Sequence, residues 1–176
     1  MRELSLFKSL GLALGCATLL FTTNSIIAAE RCLTLKGDFD TTIQVLPPFP
    51  SFPPGPFQPL LHLLITATGN LSHFGRATAA TTDQAVDLSV NPNHGTAHWV
   101  FQNAKGDVLV TEMDLTGTPL DASGSTQFHG TLTVIGGNGK FAGATGVLQF
   151  EGSAQGNSGF FSVEGTVCLA DDEKDQ

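Results

Sequence analysis

Residues able to move protons or bind metals are few in this chain, and their spacing argues against most such chemistry. Its five histidines are His62, His73, His94, His98 and His129. His94 and His98 invite a metal reading, but on a strand residues four apart stand about 13 Å apart at about 3.3 Å per residue, too far to share one ion. Unless His94 lies in a turn and folds back, the pair is no chelate. Glu112 and Asp114 alternate onto one face about 7 Å apart, which is an acid–base spacing. Val108 and Val110 share that face, and the opposite one, with Leu109, Met113 and Leu115, is more apolar. A solvated outer face is therefore the simpler account of the two carboxylates. His73 is in phase with Leu71 and is expected to point inward, where a lone histidine is more often structural than catalytic. Serine, histidine and aspartate all occur, but without nucleophile-elbow spacing. Gly136-Gly137-Asn138-Gly139 lacks the lysine–hydroxyl pair and the following helix of a phosphate loop. No catalytic residue, metal or cofactor is assigned.

Cysteine usage depends on the N-terminus. Arg2 and Lys8 precede an uncharged stretch, Ser9 to Ala29, whose apolar part, Leu10 to Phe21, is short for a bilayer span. Ala28-Ala29 offers a small-residue cleavage site, so residues 1–29 are expected to be an export signal. An uncleaved anchor and lipoprotein processing at Ala13-Leu14-Gly15-Cys16 are the weaker readings. Cleavage leaves two cysteines, Cys32 and Cys168, and places them in an oxidising compartment, secreted or periplasmic, where a pair suggests a disulfide. It removes two of the eight basic residues and one of the sixteen acidic ones, leaving a net charge of −9. That balance opposes nucleic-acid binding and anionic membrane surfaces, both of which call for positive charge. Residues 171–176 read as an acidic, disordered tail.

The segments that must position any site alternate with period 2. Residues 30–170 form one domain containing eight strand candidates. They run about Arg31–Val45, Leu60–Gly69, Leu71–Thr82, Thr96–Gln102, Asp107–Thr118, Ser125–Ile135, Lys140–Ala154 and Gly159–Leu169. Asn103-Ala104-Lys105-Gly106 and Gly136 to Gly139 read as hairpin links. Short links imply a meander, and eight such strands can close into an up-and-down antiparallel barrel without free edges. Trp99, Phe101, Met113, Phe128, Leu148 and Phe150, with His73, are the candidates to line or fill its interior. Glycines inside the run Gly130 to Gly152 mark bends or close backbone approach, as at barrel corners.

Residues 46–59, LPPFPSFPPGPFQP, break the pattern. Their prolines cannot donate to a ladder, so this insert is expected to be a surface excursion. It is either a stiff connecting loop or a lid or oligomer contact that covers Phe49, Phe52 and Phe57. Closure makes a further expectation. Cys32 begins the first strand and Cys168 ends the eighth, and in a closed meander these ends are antiparallel neighbours, so a Cys32–Cys168 bridge would staple the seam.

The segment GTLTVIGGNGKFAGATG, Gly130–Gly146, resembles the glycine-rich hairpin of the allene oxide cyclase and dirigent barrel superfamily. Leu71–Thr78, LSHFGRAT, and Gly106–Gly117, GDVLVTEMDLTG, look like the same places in small exported bacterial members. The resemblance covers about residues 32–169. It implies an eight-stranded barrel with an apolar cavity, often trimeric, that works by shape more than by a strong acid or base. The Pro-rich insert departs from that pattern, and no family catalytic residue maps onto this chain. The expected function is an exported barrel that binds or sterically directs an apolar small molecule. The alternatives are an allene oxide cyclase-like isomerase and a structural protein with a plugged barrel.

Overall fold

A computed structural model describes residues 31–47 and 60–170. The leader expected over 1–29, most of the Pro-rich insert and the acidic tail lie outside the described residues. The rest is a closed antiparallel barrel in sequence order. Its strands are β1 Arg31–Val45, β2 Leu60–Leu71, β3 Gly75–Asp87, β4 Asn93–Asn103, β5 Val108–Gly117, β6 Ser125–Asn138, β7 Thr145–Gln155 and β8 Ser158–Leu169. Alternation sets the two faces: β4 is buried at every second residue from Asn93 to Asn103, with His94, Thr96, His98, Val100 and Gln102 outside. In β5, Leu109, Thr111, Met113 and Leu115 point in, and Glu112 and Asp114 face solvent.

β4 starts three residues earlier than read, at Asn93, and two other strand starts differ more. Ser72-His73-Phe74 is a turn, closed by the Phe74 N–H donating to the Leu71 carbonyl at 3.1 Å. β3 therefore starts at Gly75 and runs on to Asp87, past a register shift between Ala80 and Ala85 that breaks its alternation. β7 starts at Thr145 rather than Lys140 because Gly139–Phe141 is a 3₁₀ turn that buries Phe141 completely. Gly106, at φ +87°, takes the left-handed position expected of the β4–β5 link.

The seam is closed by twelve register pairs of β1 with β8, from Arg31↔Leu169 to Thr42↔Ser158. Cys32 and Cys168 oppose each other in that register and are bonded, on the outward parity.

The interior has two halves. At the end bearing the seam disulfide and the turns at 72–74, 104–107 and 139–144, the barrel is solid. Leu35, Leu109, Phe141, Leu148 and Val167 are fully buried there, and Phe74 packs on Phe141 at 5.0 Å between ring centres. A belt of four aromatic rings crosses the middle. Phe39 stacks on Phe161 at 5.1 Å and meets Phe101 edge-on at 5.5 Å, and Trp99 meets Phe161 edge-on at 5.4 Å. Offset and edge-to-face contacts of this kind suit ring quadrupoles. Beyond the belt, toward the loops 88–92 and 118–124, the barrel opens.

Candidate functional site

The open half holds a cavity of about 120 Å³. Every strand contributes to it, because each sends alternate residues inward. Trp99 and Phe161 of the aromatic belt form part of its lining, Met113, Leu115, Phe128 and Phe150 stand around it, and Leu88 and Leu120 lie toward the mouth. Among the described residues, no acidic, basic or histidine side chain lines it. Its polar groups belong to Thr41, Gln84, Asn93, Trp99 and Thr126. Asn93 is anchored, its Nδ2 donating to the Thr118 carbonyl at 3.2 Å. Two others are not: the Gln84 Oε1 and the Trp99 Nε1–H are buried without a hydrogen-bond partner. Both residues are only 5% exposed. Such orphaned groups are uncommon in folded proteins, because burial strips the water that would otherwise bond them.

Four of the seven interior candidates from sequence line this cavity: Trp99, Met113, Phe128 and Phe150. Phe101 and Leu148 are just as buried but belong to the packed interior away from it. His73 does not point inward. It is exposed at the tip of the β2–β3 turn with φ +59°, and its carbonyl accepts a hydrogen bond from Lys140 Nζ at 3.1 Å. The turn breaks the phase inherited from Leu71, so Phe74 takes the buried place instead. Gln84 was missed for a related reason: it lies beyond the expected strand end at Thr82, where parity could not be read.

The titratable groups singled out from sequence sit outside the barrel. His94 Nε2 lies 3.4 Å from Asp114, and His98 Nδ1 lies 2.8 Å from Asp83. The two histidines turn to different carboxylates, and neither shares a ligand set with the other. Burial pushes the Asp83 carboxyl up, but hydrogen bonds from the His98 ring, the His98 N–H and the Thr81 hydroxyl outweigh it and hold Asp83 below the usual carboxylate range. The same contact raises His98. Among the described residues, no group of three or more histidine, cysteine, aspartate or glutamate side chains is placed to hold a metal ion. No described helix is long and apolar enough to cross a membrane.

No protein-family model matches the chain, and no curated protein matches it in sequence. Among solved structures, the chain is similar to that of the pterocarpan synthase dirigent protein. The match covers 84% of this chain and 90% of that one, at 12% identity and a TM-score of 0.38.

Proposed function

We propose that this is an exported small-barrel protein that holds, and by its shape directs, a small apolar molecule in the open half of the barrel. The observation that carries this reading is the asymmetry of the interior: one half is packed solid, and the other keeps an apolar cavity of about 120 Å³ open toward the mouth. Sites that enclose drug-sized ligands run to about 300–1,000 Å³, whereas an apolar cavity of about 150 Å³ takes benzene. The occupant is therefore ring-sized, or is one end of a longer molecule that projects through the mouth. A lining without acid or base favours steric holding over an isomerase that moves protons, which needs a donor or acceptor at the reacting atom. The packed half is the part of the interior that a plugged, purely structural barrel would share. The bonded cysteine pair supports export, since such bonds persist in oxidising compartments.

Trp99 makes the test direct, because it is the only tryptophan and the chain has no tyrosine. Titration with methylcyclohexane should change the Trp99 emission and raise the melting temperature. Leu115→Phe, which fills the cavity, should abolish both responses. A native protein indifferent to the probe overturns the reading. Native mass spectrometry of protein from its own host reads the natural ligand and the assembly state, for which the resemblance proposes a trimer.

A further inference from the structure

Gln84 and Trp99 are the polar features of the cavity that its apolar walls do not explain. The β3–β4 register pairs Ala80 with Val100 and Ala85 with Thr96, so Gln84 and Trp99 stand on neighbouring strands within the irregular stretch, and both belong to the cavity lining. Diagonal neighbours on one face are within reach of a common partner when their side chains are long. One of the two presents an acceptor, the Gln84 Oε1, and the other presents a donor, the Trp99 Nε1–H. A carbonyl would answer only the indole. A carboxylate or an ammonium would find no countercharge in the lining. A hydroxyl both donates and accepts, and it still answers Gln84 if the amide turns end for end.

We infer that the molecule held in this cavity is a neutral, ring-sized alcohol, seated with its hydroxyl between Gln84 and Trp99 and its apolar body toward Met113, Leu115 and Phe128. This rests on the cavity being a ligand site, and it adds the class of ligand. The hydroxyl sets orientation: one end of the molecule is fixed at the β3–β4 wall, and the other faces the mouth.

Two probes of matched shape separate the possibilities in the full-length protein: methylcyclohexane and cyclohexanol. Trp99 gives the only indole N–H resonance in the chain. Cyclohexanol should move that resonance downfield as the hydrogen bond forms, and methylcyclohexane should not. Gln84→Met keeps the length of the side chain and removes its polar end. It should shift the ratio of the two dissociation constants about tenfold toward methylcyclohexane, the scale of one lost hydrogen bond to a neutral partner. Should the variant fail to fold, the indole shift in the native protein decides. If cyclohexanol binds without moving the indole resonance and the ratio is the same in native protein and variant, a retained water answers the two groups and the alcohol assignment falls, with the apolar site intact. If neither probe binds the native protein, the site itself is refuted.

Discussion

Gly130 on β6 and Phe150 on β7 are cross-strand partners, and the Phe150 ring occupies the space a β-carbon on Gly130 would need. Such a carbon would stand 2.9 Å from the Phe150 Cε1 and would collide with the Asp114 carbonyl oxygen across the β5–β6 ladder. The arrangement recurs at two more cross-strand pairs. A carbon on Gly152 would stand 2.8 Å from the Phe128 Cε2, and one on Gly69 2.8 Å from the Phe39 Cδ1. Three aromatic rings thus lie over the missing side chain of a neighbour. Strands can bend sharply at these glycines, and large rings fit a narrow interior.

Gly130→Ala should therefore destabilise the barrel by about 1–3 kcal/mol, the usual cost of overpacking. Chemical denaturation reads it. Adding Phe150→Leu should return only part of the loss, because the clash with the Asp114 carbonyl remains. A Gly130→Ala protein as stable as the native one would refute the close approach.

The two halves of the interior should respond differently to truncation. Phe141 is fully buried in the solid half, so Phe141→Ala should cost about 3–5 kcal/mol. Phe128 is half-buried at the cavity wall. Phe128→Ala should cost less and should increase uptake of methylcyclohexane, measured through Trp99 emission. Equal costs with no gain in uptake would contradict the division.

The His98–Asp83 contact makes a pH-dependent contribution. The hydrogen bond to Asp83, together with its charge and that of Glu112, raises His98 above its ordinary value of about 6.5. A raised folded value means that the stabilisation from this contact is fully present below about pH 6.5 and is lost as pH rises through the raised value. Asp83 is lowered, so its share is present above about pH 3.9 and is lost as pH falls further. In an NMR titration His98 should titrate above the ordinary histidine value, and Asp83→Asn should bring it down. An unchanged His98 midpoint in that variant would show that the contact does not hold in solution.

The Cys32–Cys168 bond closes a span of 136 positions. In the chain-entropy model a loop of that length contributes about 5 kcal/mol by restricting the unfolded chain. Cys32→Ser with Cys168→Ser should lower stability by up to that amount without altering the ladder, and non-reducing digestion of the native protein should yield the single linked peptide pair. Two free thiols in the native protein would remove the staple.

The fold was legible where alternation was clean. β1 could be read from Arg31 to Val45 because Leu33, Leu35 and Phe39 alternate with Thr34, Lys36, Asp38 and Asp40. The terminal cysteines told the same story, since only closure brings Cys32 opposite Cys168. Legibility failed where the backbone changes phase. The turn at Ser72-His73-Phe74 moved His73 outside, the irregularity between Ala80 and Ala85 hid the last third of β3, and Gln84 went with it. Trp99 was readable as an inward aromatic, but its unpaired indole N–H was not, because hydrogen-bond partners depend on neighbouring strands. The emptiness of one half was likewise unreadable, since composition fixes the volume of side chains and not the room they leave.

The neighbour that β1 needs on its outer edge is the last strand of the barrel to be made. Until Ser158 appears, Arg31 to Thr42 have no partner on that side, and until Cys168 follows, Cys32 has no thiol opposite it. Hairpins from β1 to β7 can zip in order as they emerge, but two raw edges stay open throughout, available to any other extended chain nearby. For this protein, synthesis is the vulnerable period, and a chain that stops short of β8 would keep that stickiness for as long as it lasts.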